Sequence, residues 1–213
     1  MKATLTTLLL MLCVLLGAVR PANAAWVTIY IEGVVDYVED EGNYLEGQID
    51  VGDPITGYYT YDTATPDSSP LEPVQGNYWH YESPARVQLD LGGVIFGSSL
   101  SVPEIHIFVR NDTSYGDDVY GFASLTNAPL LTGTAIDGMV WQLTDPTGTA
   151  LDSDALPPDP PDLSRWDGTY GLWVWGDRMY KIEGHITSAV PEPVTVLFLL
   201  FGSIFSTLCP KKR

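Results

Sequence analysis

The residues best suited to recognising a ligand in this sequence are aromatic. Tyrosines and tryptophans gather in three short stretches, at Tyr58–Tyr61, Tyr78–Tyr81 and Trp173–Trp175. Trp173 and Trp175 are two positions apart, and side chains with this spacing project from the same face of a β-strand. A flat pair of indoles can stack on sugar rings, although filling the core is the more common role of tryptophan in an all-β domain. The spacing leaves two alternatives for this pair, a glycan-binding platform and a core position.

Carboxylates that could bind a hard cation lie in several loops. Asp112, Asp117 and Asp118 bracket a turn, and other acidic groups occur at Glu39–Glu41 and at Asp152–Asp154. Calcium takes roughly six to eight oxygen ligands, which such loops can supply. None of the three loops matches an EF-hand or a calcium-binding repeat, so solvated acidic loops are the alternative. We name Asp112, Asp117 and Asp118 as the candidate calcium ligands.

Residues for catalysis show no recognisable pattern. The three histidines, His80, His106 and His185, are far apart in sequence, and the chain has no HExxH or GxSxG motif. Acidic pairs for glycoside hydrolysis could be chosen in many ways, so their presence discriminates nothing. We therefore expect a protein that is not an enzyme and assign no catalytic residue.

The elements that carry these residues are predicted to be β-strands. Apolar and polar residues alternate in nine stretches separated by Gly, Asn, Asp and Pro clusters, which predicts an all-β fold of nine or ten strands. We expect an antiparallel β-sandwich, jelly-roll-like, spanning residues 25–189. The short echo between Tyr30–Gly33 and Lys181–Gly184 predicts that the first and last strands pair. The proline-rich stretch Thr149–Ser164 is predicted to be a long surface loop.

The N-terminal segment has the features of a secretory signal peptide. A short basic start precedes the apolar run Ala3–Val19, and Ala22 and Ala24 supply the small residues of a signal-peptidase site before Ala25. We predict that residues 1–24 are removed by signal peptidase. A membrane-spanning first helix is the alternative, but Arg20 and Pro21 end the run early.

The C-terminal segment combines a short motif, an apolar run and a basic end. Val190, Pro191, Glu192 and Pro193 precede the apolar stretch Val194–Leu208, and the chain ends with Lys211, Lys212 and Arg213. The apolar stretch is short for a bilayer-spanning helix, which needs about 20 residues. The basic cluster would remain on the cytoplasmic side as a stop, leaving the domain outside. The segment therefore predicts a weakly held membrane anchor.

This arrangement resembles the PEP-CTERM sorting signal of exported Gram-negative bacterial proteins. The resemblance covers residues 190–213 and implies processing by exosortase near Pro191–Pro193. It also implies a location in the cell envelope, on the outer surface or in the extracellular matrix. Members of this class often accompany exopolysaccharide and biofilm-matrix production. A permanent membrane anchor is the alternative.

The net charge of the domain between these segments limits the classes of partner that it can bind. The terminal segments contain five of the ten basic residues and one of the 27 acidic residues, which leaves a net charge of about −21. Such a surface repels nucleic acid and favours cationic partners. Both cysteines, Cys13 and Cys209, lie in the terminal segments, so the domain contains no disulfide.

The predicted function is an exported, non-enzymatic surface or matrix protein associated with exopolysaccharide. A lectin-like module, with or without calcium, and a polysaccharide-active enzyme are the alternatives.

Overall fold

The computed structural model describes residues 26–166, 171–176 and 179–192. These ranges contain one 3-10 helix, at Leu163–Arg165, and eleven antiparallel strands. The strands are β1 (Trp26–Glu39), β2 (Pro54–Asp62), β3 (Gln75–His80), β4 (Arg86–Leu91), β5 (Val94–Ser98), β6 (Ile105–Arg110), β7 (Asp118–Ser124), β8 (Asn127–Ala128), β9 (Gly138–Asp145), β10 (Gly171–Gly176) and β11 (Tyr180–Pro191). The all-β, antiparallel prediction is confirmed.

The described strands form one continuous sheet. Their order is β3-β6-β7-β9-β10-β11-β1-β2-β4-β5-β8. The sheet curls into a half-barrel, so that β2 and β7, five positions apart in this order, meet across the interior. The Tyr59 ring lies 5.0 Å from the Phe122 ring, and the hydroxyl oxygens of Tyr59 and Tyr120 are 2.9 Å apart. A sandwich of two separate sheets and a jelly-roll topology are not confirmed.

The first and last strands pair at the centre of the sheet, as the sequence echo predicts. β1 and β11 are antiparallel neighbours, with Ile29 opposite Pro191 and Glu39 opposite Lys181. The two ends of the described chain are therefore brought together. β11 continues to Pro191, so the predicted domain boundary at Ala189 falls inside a strand.

Alternation along the strands separates a buried inner face from an outward face. In β4, Val87, Leu89 and Leu91 are fully buried, and the residues between them are half-buried. The stretch Thr149–Ser164 lies over one end of the core, mainly as irregular loop. It is held there because Tyr61 and Tyr78 donate hydroxyl hydrogen bonds of 2.7 and 2.9 Å to carbonyls of the loop. The predicted surface loop is confirmed.

The predicted targeting segments fall almost entirely outside the described residues. This applies to the signal peptide with Ala22, Ala24 and Ala25, to Pro193, and to the basic stop formed by Lys211, Lys212 and Arg213. Val190 and Pro191 are described as the end of β11, and the Glu192 N–H donates a 2.9 Å hydrogen bond to the Thr28 carbonyl. None of the described helical segments is long and apolar enough to span a membrane.

Candidate functional site

Trp173 and Trp175 lie on the outward face of β10. Their neighbours Leu172 and Val174 are 1% and 0% exposed and point into the core, whereas both tryptophans are half-buried. The sequence left a core position and a surface platform open for this pair, and the two tryptophans do not occupy the core position. Trp141 of β9, which is fully buried, contributes a tryptophan to the core instead.

Two glycines let the indoles lie against the sheet. A Cβ atom added to Gly171 would collide with the Trp173 ring, and one added to Gly138 would collide with the Trp175 ring. Gly171 is two residues before Trp173, and Gly138 of β9 is directly opposite Trp175. The absence of these two side chains allows both rings to rest on the backbone, where they present a flat apolar surface.

These tryptophans line a groove of about 640 Å³, which we call the indole groove. Val140 of β9 is opposite Trp173, and Lys181 of β11 is opposite Trp175. The remaining lining residues are Glu39, Glu41, Met179 and Tyr180. An apolar floor with a few polar groups at its rim is typical of small-ligand sites.

The charged groups of the indole groove are mostly carboxylates. Lys181 forms an ion pair with Glu183, and this bond raises the pKa of the Lys181 ammonium group. Glu39 of β1 is opposite Lys181 and accepts a 3.1 Å hydrogen bond from the Tyr37 hydroxyl, which raises the pKa of Tyr37. Because Lys181 is paired with Glu183, the described lining residues carry a net negative charge, from Glu39 and Glu41.

A second aromatic cluster occupies β3 and β6 on the same outward face. The Trp79 ring stacks on the His106 ring at 4.2 Å with an interplanar angle of 3°. The Tyr81 ring, just after the end of β3, is parallel to the Trp79 ring at 6.1 Å, and Tyr81 is 57% exposed. We call these three residues the β3 aromatic stack. Trp79 and Tyr81 have the same two-residue spacing as Trp173 and Trp175, so the sequence contained a signal for this cluster.

The His106 ring is neutral at neutral pH. Burial lowers its pKa to about 4, and the nearby charge of Arg110 acts in the same direction. Its Nε2 atom donates a 2.9 Å hydrogen bond to Oδ1 of Asn77. His106 therefore extends the aromatic surface without adding positive charge.

Each of the three histidines bonds to a different partner. His80 Nε2 is 2.9 Å from the Thr65 hydroxyl, His106 bonds to Asn77, and His185 Nδ1 is 2.8 Å from an Asp36 carboxylate oxygen. Burial also lowers the pKa of His80. Within the described ranges, none of these histidines is part of a Ser–His–Asp or Cys–His arrangement.

The candidate calcium ligands form hydrogen bonds within the protein. The buried Asp118 carboxylate accepts bonds of 3.0 and 2.7 Å from the N–H groups of Asp112 and Leu151. Asp117 accepts a bond from the Thr113 hydroxyl. Across the described ranges, no three or more His, Cys, Asp or Glu residues are grouped so that they could hold a metal ion.

Comparisons with known proteins add no relative from which function could be transferred. No family model, curated protein or solved structure matches this chain. The geometry of the outward face is therefore the basis for the functional interpretation.

Proposed function

We propose that this chain is an exported, non-enzymatic protein of the cell surface or extracellular matrix, and that its β-domain binds polysaccharide. The observation that carries the binding proposal is the placement of Trp173 and Trp175 on the outward face, flat against the sheet and lining a groove. The export proposal rests on the terminal segments, which have the features of a signal peptide and a PEP-CTERM tail.

Stacking on sugar rings explains why two tryptophans are placed at the surface. Exposed apolar rings have a free-energy cost in water, and that cost is recovered when the apolar face of a ligand covers them. Sugar rings have one or two apolar faces formed by C–H groups, and their hydroxyl groups can hydrogen-bond to side chains at a groove rim. In the indole groove, Glu39 and Glu41 supply carboxylate acceptors for such groups.

The first test measures binding of purified protein to a glycan array, followed by titration with the best-bound polysaccharide. We expect Trp173→Ala and Trp175→Ala each to weaken binding by about tenfold or more, because a buried tryptophan contact commonly contributes more than 1.4 kcal/mol. Tyr115→Ala is the matched control, since Tyr115 is 92% exposed and lies in the β6–β7 loop away from the groove. Equal binding by the tryptophan variants and the control would contradict the platform.

The same titration, repeated in EGTA, tests the predicted contribution of calcium. The bonds that Asp117 and Asp118 accept within the protein already satisfy oxygens that calcium would need. We therefore expect polysaccharide binding to persist in the chelator. Loss of binding that added calcium restores would contradict this expectation and show that binding requires calcium.

The export proposal is tested by intact-mass measurement of the native protein from culture supernatant and washed cells. Signal peptidase and exosortase would produce a species that begins at Ala25 and ends near Val190–Pro193. Additional mass at the new C-terminus would identify what had been attached there. A species that retains Lys211–Arg213 and occurs only in membranes would indicate a permanent anchor and contradict the sorting proposal.

A polysaccharide-active enzyme is the competing function. It would degrade the polymers that it binds and would lose that activity when one or two carboxylates are replaced. Incubating the bound polysaccharide with the protein and measuring new reducing ends separates the two functions. We expect no increase in reducing ends.

A further inference from the structure

The indole groove and the β3 aromatic stack are joined by one row of residues across the sheet. The register places Trp79 opposite His106, His106 opposite Ala123, Ala123 opposite Val140 and Val140 opposite Trp173. All five residues are half-buried on the outward face. Neighbouring strands are about 4.8 Å apart, so the four steps from Trp79 to Trp173 span about 19 Å along the sheet.

The side chains in the middle of this row are small. Ala123 and Val140 are the smallest side chains in it, and they separate the aromatic groups at its two ends. An extended ligand lying across the strands could therefore contact the indoles at one end and the Trp79–Tyr81 rings at the other. The length of the row far exceeds one sugar ring, which favours a polymer over a monosaccharide.

Both ends of the row have carboxylates beside the aromatic rings. Glu39 and Glu41 line the indole groove. Asp62 and Glu82 line a smaller pocket of about 260 Å³ beside Trp79 and Tyr81, and this pocket has no Lys or Arg among its described lining residues. Among the described residues that line the two pockets, Lys181 is the only Lys or Arg, and it forms an ion pair with Glu183. Arg110 lies near His106 but lines neither pocket.

Aromatic faces next to carboxylates favour a cationic ligand. A cation above an aromatic ring is attracted by its negative face, and a carboxylate adds a charge-assisted hydrogen bond. The domain as a whole, at about −21, attracts cations over longer distances. An amino sugar fits such a site, because its apolar ring face can stack on the aromatic rings and its ammonium group can bind the carboxylates.

We propose that the ligand is a polysaccharide with free amino groups, and that one chain lies across the strands and occupies both aromatic subsites. This inference rests on the proposed polysaccharide binding and specifies the charge and the length of the polymer. Two linked subsites raise the affinity for a long chain, because the second contact becomes intramolecular.

The test uses β-1,4-linked glucosamine oligomers as probes, with isothermal titration calorimetry near pH 6, where the amines are protonated and His106 is not. A disaccharide is too short to span the row, so we expect two to bind per protein chain. An octamer reaches both subsites, so we expect one to bind per chain, at least tenfold more tightly than the disaccharide. Trp79→Ala should leave one disaccharide site and remove the octamer's gain in affinity.

Three controls separate this proposal from simple attraction to an acidic protein. The Trp79→Ala/Trp173→Ala/Trp175→Ala variant keeps every carboxylate, and it should lose octamer binding while a cooperative thermal transition shows that it remains folded. The N-acetylated octamer has the same length without the charge, and we expect it to bind at least tenfold more weakly. Glu41→Gln should weaken binding of the disaccharide, whereas Glu72→Gln, an equal change of charge at an exposed loop position, should not.

Each contrary result identifies what is wrong. Unchanged octamer binding by the triple variant would overturn the aromatic subsites. Equal binding of the N-acetylated octamer would overturn the requirement for free amines but leave polysaccharide binding in place. Equal affinity for disaccharide and octamer would overturn the linked subsites. Failure of every glucosamine probe overturns the amino-sugar assignment, whereas failure of the whole glycan array overturns the proposed function as well.

Discussion

At the scale of single residues, glycines control how the tryptophans are presented. Gly138 and Gly171 lie under the indoles of Trp175 and Trp173, and neither has room for a side chain without moving a ring. Glycine in a strand normally costs stability, because it loses more backbone freedom on folding and packs no side chain. We infer that glycine occupies these positions because it lets the two rings lie flat on the sheet, and that this role offsets its cost in stability.

This interpretation predicts that Gly138→Ala impairs binding more than stability. The added methyl group would tilt the Trp175 ring away from the sheet, which strains the folded state. Alanine loses less backbone freedom on folding than glycine, and this difference offsets part of the strain. We expect weaker polysaccharide binding, red-shifted tryptophan fluorescence and a change in unfolding free energy below about 2 kcal/mol.

Gly97→Ala is the control for this substitution. A Cβ at Gly97 of β5 would lie 3.8 Å from the Val87 carbonyl oxygen, which is ordinary contact. It should alter neither binding nor fluorescence. If Gly138→Ala bound polysaccharide like the wild type, the flat placement of Trp175 would be unnecessary for binding.

At the scale of the elements, the sequence pattern located most strands but not all. Nine alternating stretches were predicted, and each overlaps a strand. β5 (Val94–Ser98) and β8 (Asn127–Ala128) were not predicted. β5 is short and contains Gly97, and β8 is two residues long and exists through its pairing with Gly97 and Ser98. Local alternation carries too little information for such strands, because their conformation depends on a distant partner.

Two aspartates at the ends of strands show how the fold uses acidic side chains. Asp118 begins β7 and Asp145 ends β9, and the two are opposite each other in the sheet. Asp145 accepts bonds from the backbone and hydroxyl groups of Thr147 and Thr149, which hold its pKa well below the ordinary value. Clustered carboxylates in the sequence suggested a cation site. In the fold, Asp118 and Asp145 are buried and organise the adjoining loops through hydrogen bonds.

At the scale of the whole molecule, buried titratable groups limit the pH range of stability. Burial raises the pKa of Tyr59 and Tyr120 well above that of exposed tyrosine. The stability that they contribute is present below pH about 10 and is lost as the pH rises above it, because the unfolded chain releases these protons first. Burial has the opposite effect on the pKa of His80 and His106. Their contribution is present above pH about 6.5 and is lost as the pH falls below that value, and for His106 the loss extends to about pH 4.

We therefore expect the free energy of unfolding to be greatest between about pH 7 and pH 9. Denaturant unfolding at a series of pH values checks this expectation. His106→Phe keeps a ring against Trp79 but cannot bind a proton, so its stability should fall less than that of the wild type between pH 6.5 and pH 4. Parallel curves for the two proteins would show that His106 does not contribute to the acid limb.

The sequence by itself determined the strand class and the shared face of each aromatic pair, and its short echo predicted that the first and last strands pair. Residues two apart point the same way in any strand, so this property needs no tertiary information. The tertiary structure decided which face was the core. Tyr59 and Tyr61 have the same spacing as Trp173 and Trp175, yet the tyrosines are fully buried and the tryptophans face outward. The row from Trp79 to Trp173 also depends on the strand order, because hydrogen bonding between strands distant in sequence brings these residues into one line.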